Sequence, residues 1–148
     1  MESNRDSNQI IYIAGPISDD PDYDAKFAAV EDYFAKRGCP ALNPARMFAG
    51  IAAAGVGYDA IMKYCLALVE QADVIALLPN WYKSEGAIRE LMRYCGIHQP
   101  GKFLRMDIQP TEQGWQADLI AIDESVCTWT SCPRNEAGMP TSSPSTRA

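Results

Sequence analysis

The chain has 148 residues, 47% of them hydrophobic and 22% charged, with a net charge of −6. This length and composition predict one globular domain that buries its core without disulfide or metal staples. The acidic balance argues against duplex nucleic acid or an anionic membrane as the main partner, and no apolar run approaches the about 20 residues that span a bilayer. A small anionic ligand stays compatible, because the free amides of a helix N-terminus bind anions without Lys or Arg. The five cysteines are scattered and odd in number, which reads as reduced thiols in a cytoplasmic protein. Cys127 and Cys132 have no histidine near them in sequence, since the sole histidine is His98, so no zinc site is expected. The polar start, MESNRDSNQ, does not read as a signal peptide.

In chain order, residues 1–8 form a polar lead-in. Ile10–Ala14 predicts a first strand, β-branched and buried on both faces, ending at Gly15-Pro16. Ser18–Asp24 is an acidic, turn-rich loop. Its Asp19, Asp20, Asp22 and Asp24 lack the spacing and glycine of a calcium loop, so a solvated loop is expected. Asp22–Lys36 predicts a helix, with Phe27, Val30, Tyr33 and Phe34 at helical spacing and Gly38 closing it. Pro40–Asn43 reads as a short second strand. Phe48–Gly57 is small and glycine-containing, read as a mobile loop with at most one helical turn. Tyr58–Gln71 predicts the second clear helix, with Ile61, Cys65, Leu68 and Val69 on one face. Ala72–Leu78 predicts the third strand. The third clear helix is expected over Glu85–Gly96, with Ile88, Leu91, Met92 and Cys95 as its inner stripe. Lys102–Met106 reads as a fourth strand, less apolar and therefore nearer an edge. Periodicity leaves Trp115–Ser125 open between helix and strand. From Cys127 the chain turns rich in Ser, Thr and Pro and poor in aliphatics, so a domain over 1–126 and a disordered tail over 127–148 are expected. The alternation of strands and helices predicts an α/β fold, a doubly wound parallel sheet with helices on both faces.

The most informative stretch is Ala72–Glu90, ADVIALLPNWYKSEGAIRE. A buried strand runs through a polar turn into a helix capped by Ser84. A crevice forms at the carboxyl end of such a strand, where open α/β sheets bind their ligands. If strands one and three are neighbours, Gly15 and the amides near Ser84, Gly86 and Ala87 can share a phosphate or sugar hydroxyl. Glu90, a turn further in, can then meet a sugar carbon as a nucleophile, the carboxylate role in glycosyl transfer. Asp73 can orient or protonate, or simply cap the strand. Spacing alone favours for Glu90 an ion pair with Arg89, Arg93 or Lys83. For Tyr12, site and core are equally open. Trp81 is a lid over a base or a plain interface aromatic, Cys65 a buried small residue, and His98 a helix-end cap or exposed. No Walker, GxGxxG, HExxH or CxxC motif occurs.

Three blocks in order, YIAGPIS at Tyr12–Ser18, LNPA at Leu42–Ala45 and the Ala72–Glu90 stretch, resemble the nucleoside 2-deoxyribosyltransferase superfamily, closest to a small phage and prophage branch with AGP and LPGWxxSxGAxxE blocks. The resemblance covers roughly residues 10–106. It implies a flavodoxin-like (Rossmann-like) fold, a homodimer or larger assembly, and action on the N-glycosidic bond of a nucleoside or nucleotide without a cofactor or metal. The nucleophilic glutamate falls on Glu90, the sugar-holding tyrosine on Tyr12 and a phosphate-binding serine on Ser84. Asp73 joins them as a catalytic candidate. Gly15, Pro16, Ser18, Asn43, Trp81, Gly86 and Ala87 are the further substrate-binding candidates. Three positions depart from the pattern. Cys65 stands where the superfamily's hydrolases carry an aspartate. Pro16 follows the strand-one glycine, as in the transferases, where the hydrolases have a serine. Asn80 replaces a glycine. Binding of a nucleotide without turnover, or cleavage of a dinucleotide such as NAD, are the alternative expectations.

Overall fold

The computed structural model describes residues 9–98 and 101–125; the lead-in at 1–8 and the tail expected over 127–148, with Cys127 and Cys132, lie outside them. Five strands form one sheet in the order β2-β1-β3-β4-β5: β1 (Ile11–Ala14), β2 (Ala41–Leu42), β3 (Val74–Leu77), β4 (Gly101–Thr111) and β5 (Gly114–Ser125). The first four run parallel, with Ile11 opposite Ala41 on one side and Val74 on the other. This is the flavodoxin-like order, whose reversal point lies between β1 and β3.

Alternation along the strands sorts the core into two layers. Ile11, Ile13, Val74 and Ala76 pack on α1 (Tyr23–Ala35) through Phe27, Val30 and Phe34. Tyr12, Ala14, Ile75 and Leu77 face the opposite side. There they meet Cys65 and Val69 of α4 (Tyr58–Gln71) and Leu91, Tyr94 and Cys95 of α5 (Glu85–Ile97). The α4 bounds are those the sequence predicts.

Three expectations are corrected. First, Pro44–Met47, for which no helix is expected, forms a short helix, α2, followed by α3 (Ala49–Ala53), the one helical turn allowed within Phe48–Gly57. Pro44 at the first helical position and Asn43 as the cap start the first of them, with Asn43 Oδ1 accepting the Arg46 amide at 3.2 Å. Second, β4 lies next to the edge of the sheet rather than at it. Trp115–Ser125 is a strand, which pairs antiparallel outside β4 through a two-residue turn from Thr111 to Gly114. The sheet is therefore parallel in four strands and closed by an antiparallel hairpin. Lys26 of α1 sits over the Trp115 ring at 4.9 Å, tying that hairpin to the α1 layer. Third, the inner face of α5 is rotated from the expected stripe: Ala87, Glu90, Leu91, Tyr94 and Cys95 are buried while Met92 is exposed.

Gly15, immediately after β1, lies close against Leu78 at the end of β3. A Cβ there would lie 2.7 Å from Leu78 Cβ, too near a backbone-anchored atom to be relieved by a rotamer change. Gly15→Ala is therefore expected to cost about 1–3 kcal/mol, the usual overpacking penalty, read as a lower urea midpoint at unchanged m-value.

Candidate active site

At the carboxyl ends of β1 and β3 the surface opens into a cleft of about 690 Å³. The β1–α1 loop (Gly15–Asp20) forms one wall. Pro44, Phe48 and Ala52 of the α2–α3 segment form a second, and the first turns of α4 and α5 the rest. Tyr58 and Met62 come from α4, and Ser84, Gly86, Ala87 and Glu90 from the start of α5.

Glu90 is the chemical centre of this cleft. It is only 6% exposed, and Tyr12 Oη donates to its Oε2 at 2.5 Å. Tyr12 itself is fully buried, because its side of β1 lies under α4 and α5. Cys65, from α4, lines the cleft beside both partners. Burial pushes the Glu90 carboxyl up to about 7, against the hydrogen bonds from Tyr12 and Cys65 that favour its charged form. The same burial, together with the adjacent glutamate, raises the Tyr12 phenol well above its ordinary value. The Cys65 thiol is pushed up to about 11, again mainly by burial. Near neutrality the trio thus holds both its tyrosine and thiol protons, while Glu90 divides between acid and carboxylate.

The entry turn into α5 follows from its residues. Asn80 adopts a left-handed conformation, φ 65° and ψ 21°, which favours glycine and next tolerates asparagine. A single 3₁₀ turn over Trp81–Lys83 follows. Ser84 then caps the helix, its Oγ accepting the Ala87 amide at 3.1 Å. The helix axis is thereby aimed so that Glu90 reaches Tyr12.

Residues 9–98 match a family model described as a domain of unknown function, DUF4406. That stretch takes in β1 through the end of α5, more than half of the chain. The chain belongs to the DUF4406 family. No curated protein and no solved structure matches it. Every residue that lines the cleft falls within the DUF4406 stretch, whereas the β4–β5 hairpin lies beyond it.

Within the DUF4406 fold, most of the residues expected from sequence converge. Gly15, Pro16, Ser18, Ser84, Gly86, Ala87 and Glu90 all line the cleft, and Tyr12 reaches it through Glu90. Three are placed elsewhere. Asp73 sits at the start of β3, the end away from the cleft, where its Oδ2 accepts the Ile10 amide at 2.8 Å. It has the strand-capping position rather than one near Glu90. Asn43 is buried as the α2 cap, and its Nδ2 donates to Glu31 Oε1 at 3.0 Å. Trp81 is half-buried against the α4–α5 layer and edge-on to Tyr82, not part of the cleft lining. Glu90 takes none of the ion pairs that spacing favours, and Arg93 binds Glu70 instead.

The sequence reading missed Phe48, Tyr58 and Met62 as cleft residues. The usable signal was Tyr58, Met62 and Cys65 at helical spacing on α4, one strip of that helix facing the cleft. Among the described residues no cluster of His, Cys, Asp or Glu is arranged to hold a metal ion. The aspartate-rich loop has Asp20 paired with Lys26 at 2.8 Å. His98 ends α5, with Nε2 3.1 Å from the Ala72 carbonyl oxygen. Among the described residues no helix is long and apolar enough to cross a membrane.

Proposed function

We propose that this protein cleaves or exchanges the N-glycosidic bond of a nucleoside or nucleotide, with Glu90 as the nucleophile at C1′. One observation carries the reading. A buried carboxylate on the cleft floor accepts a 2.5 Å hydrogen bond from a buried tyrosine, at the strand-order reversal where α/β sheets bind ligands. In this reading Tyr12 fixes the rotamer of Glu90 and favours its ionised form. The carboxylate attacks C1′, the base departs, and a glycosyl ester on Glu90 is resolved by water or by a second base. The amide end of α5 beside Ser84 and Gly86 is the place for a 5′-phosphate or a sugar hydroxyl. Assembly as a homo-oligomer belongs to the same proposal.

The test is chromatographic release of free base from a panel of nucleosides and their 5′-monophosphates. Glu90→Ala is expected to lower the rate by on the order of 10³-fold, the scale of losing a covalent nucleophile. Wild-type activity is expected to rise with pH through about 7, because the attacking form is the carboxylate. Equal release by wild type and Glu90→Ala would remove the proposal.

A second reading, ligand binding without turnover, is favoured by Cys65, a thiol in the position against Glu90 where a second acid would assist a departing base. Calorimetric titration that leaves the nucleotide intact separates it from catalysis.

A further inference from the structure

A departing nucleobase normally needs a proton, and the cleft is short of groups able to give one. Directly against Glu90 stand Tyr12 and Cys65. The Tyr12 proton is already committed to Glu90 Oε2. Burial holds both the phenol and the thiol protonated far above neutrality. Giving up either proton would create a phenolate or thiolate where burial already opposes that charge.

The other carboxylates of the cleft stand at its mouth. Asp19 and Glu85 are exposed, and Asp20 is bound to Lys26 at 2.8 Å, which holds its carboxyl below the ordinary range. Against these three carboxylates, Lys83 is the sole cation among the described lining residues. With Asp20 offset by Lys26, Asp19 and Glu85 still outnumber Lys83, an acidic balance that favours a positively charged base.

We propose that the substrate is an N-glycoside of a ring-quaternised, positively charged base, a leaving group that requires no proton donor. This rests on Glu90 acting as the nucleophile at C1′. The carboxylate forms an O–C1′ bond as the C1′–N bond breaks. The electron pair of the broken bond returns to the ring and discharges its positive charge, so the base leaves neutral. Water then attacks C1′ of the ester, Glu90 is recovered as a carboxylate, and one proton passes to solvent. The net change is cationic glycoside plus water to free sugar, neutral base and one proton. The acidic mouth attracts the substrate and releases the uncharged base.

The experiment uses the full chain at pH 6, where 7-methylguanosine carries a net positive charge, with two matched pairs, 7-methylguanosine against guanosine and the 2′-deoxy forms of each, with free base quantified by chromatography. Glu90→Ala runs in parallel to remove the intrinsic lability of the methylated compounds. The expected result is a Glu90-dependent kcat/KM at least on the order of 100-fold higher for the cationic member, the scale of an absent general acid for the neutral one. Glu90-dependent cleavage of both members at similar rates overturns this inference and leaves the N-glycosidase reading standing. No base release from any compound, or release that Glu90→Ala does not slow, overturns both.

Discussion

Glu90→Gln is expected to gain about 3 kcal/mol of stability relative to wild type between pH 4.5 and pH 8, and the direction follows from where the proton sits. Below about 4.5 Glu90 is protonated in both folded and unfolded chains, so its ionisation contributes nothing. Between that pH and about 7 the unfolded chain releases the proton while the folded chain, burying the carboxyl, retains it. The unfolded state is favoured progressively across this window. Above about 7 both states are ionised and the loss is constant. A gap from 4.5 to about 7, at about 1.4 kcal/mol per unit, gives the stated figure. Glutamine keeps an oxygen for the Tyr12 hydroxyl but does not titrate. The packing cost of the exchange is pH-independent, and the other ionisable groups cancel in the comparison. Urea midpoints of the two proteins measured across this range should diverge with rising pH, by about 10 °C if read as melting temperature. Parallel profiles would mean that the folded state does not penalise the Glu90 charge.

Phe27→Ala is the second large effect. Phe27 is fully buried in the α1 layer with Ile11, Ile13 and Val30, and one edge of it reaches the cleft wall. Truncation removes most of a ring's apolar contact and leaves a void, at a cost of about 3–5 kcal/mol. Because one side of that void opens toward the cleft, water can enter it, which favours the lower half of the range. Chemical denaturation should show a lowered midpoint at unchanged m-value. A loss under about 1 kcal/mol would mean that α1 repacks over the gap.

Legibility in the sequence depended on how each element is buried. β1 and β3 are covered on both faces, so their continuous apolar runs stood out, and α4 was bounded by its own periodicity. α5 was read with the wrong face inward for a specific reason. A hydropathy pattern turns Glu90 outward, whereas here its hydrogen bond with Tyr12 turns it inward. Tyr94 follows, donating to the Lys102 carbonyl at 2.9 Å. β5 was undecidable because the register shift between Arg105 and Met106 leaves Ile120 as an extra residue between Leu119 and Ala121. The consecutive apolar residues Leu119, Ile120, Ala121 and Ile122 around that bulge erase the alternation that marks a strand. α2 and α3 are made largely of small residues, which carry no amphipathic signature. At the site, the ordered blocks identified Tyr12, Ser84 and Glu90, but nothing local in sequence distinguished the capping roles of Asp73 and Asn43 from ligand binding, since a buried polar residue beside a strand or helix end serves either.

The hydrogen bond between Tyr12 and Glu90 joins residues 78 positions apart, while the β4–β5 hairpin closes through a two-residue turn. The entropy of bringing chain ends together is therefore spent mainly on the half of the molecule that carries the cleft. The hairpin can form from its own neighbourhood, but the cleft exists only after the parallel strands have assembled around β1. Its integrity is thus a property of the whole topology, so that any ligand held in the cleft would stabilise the entire fold.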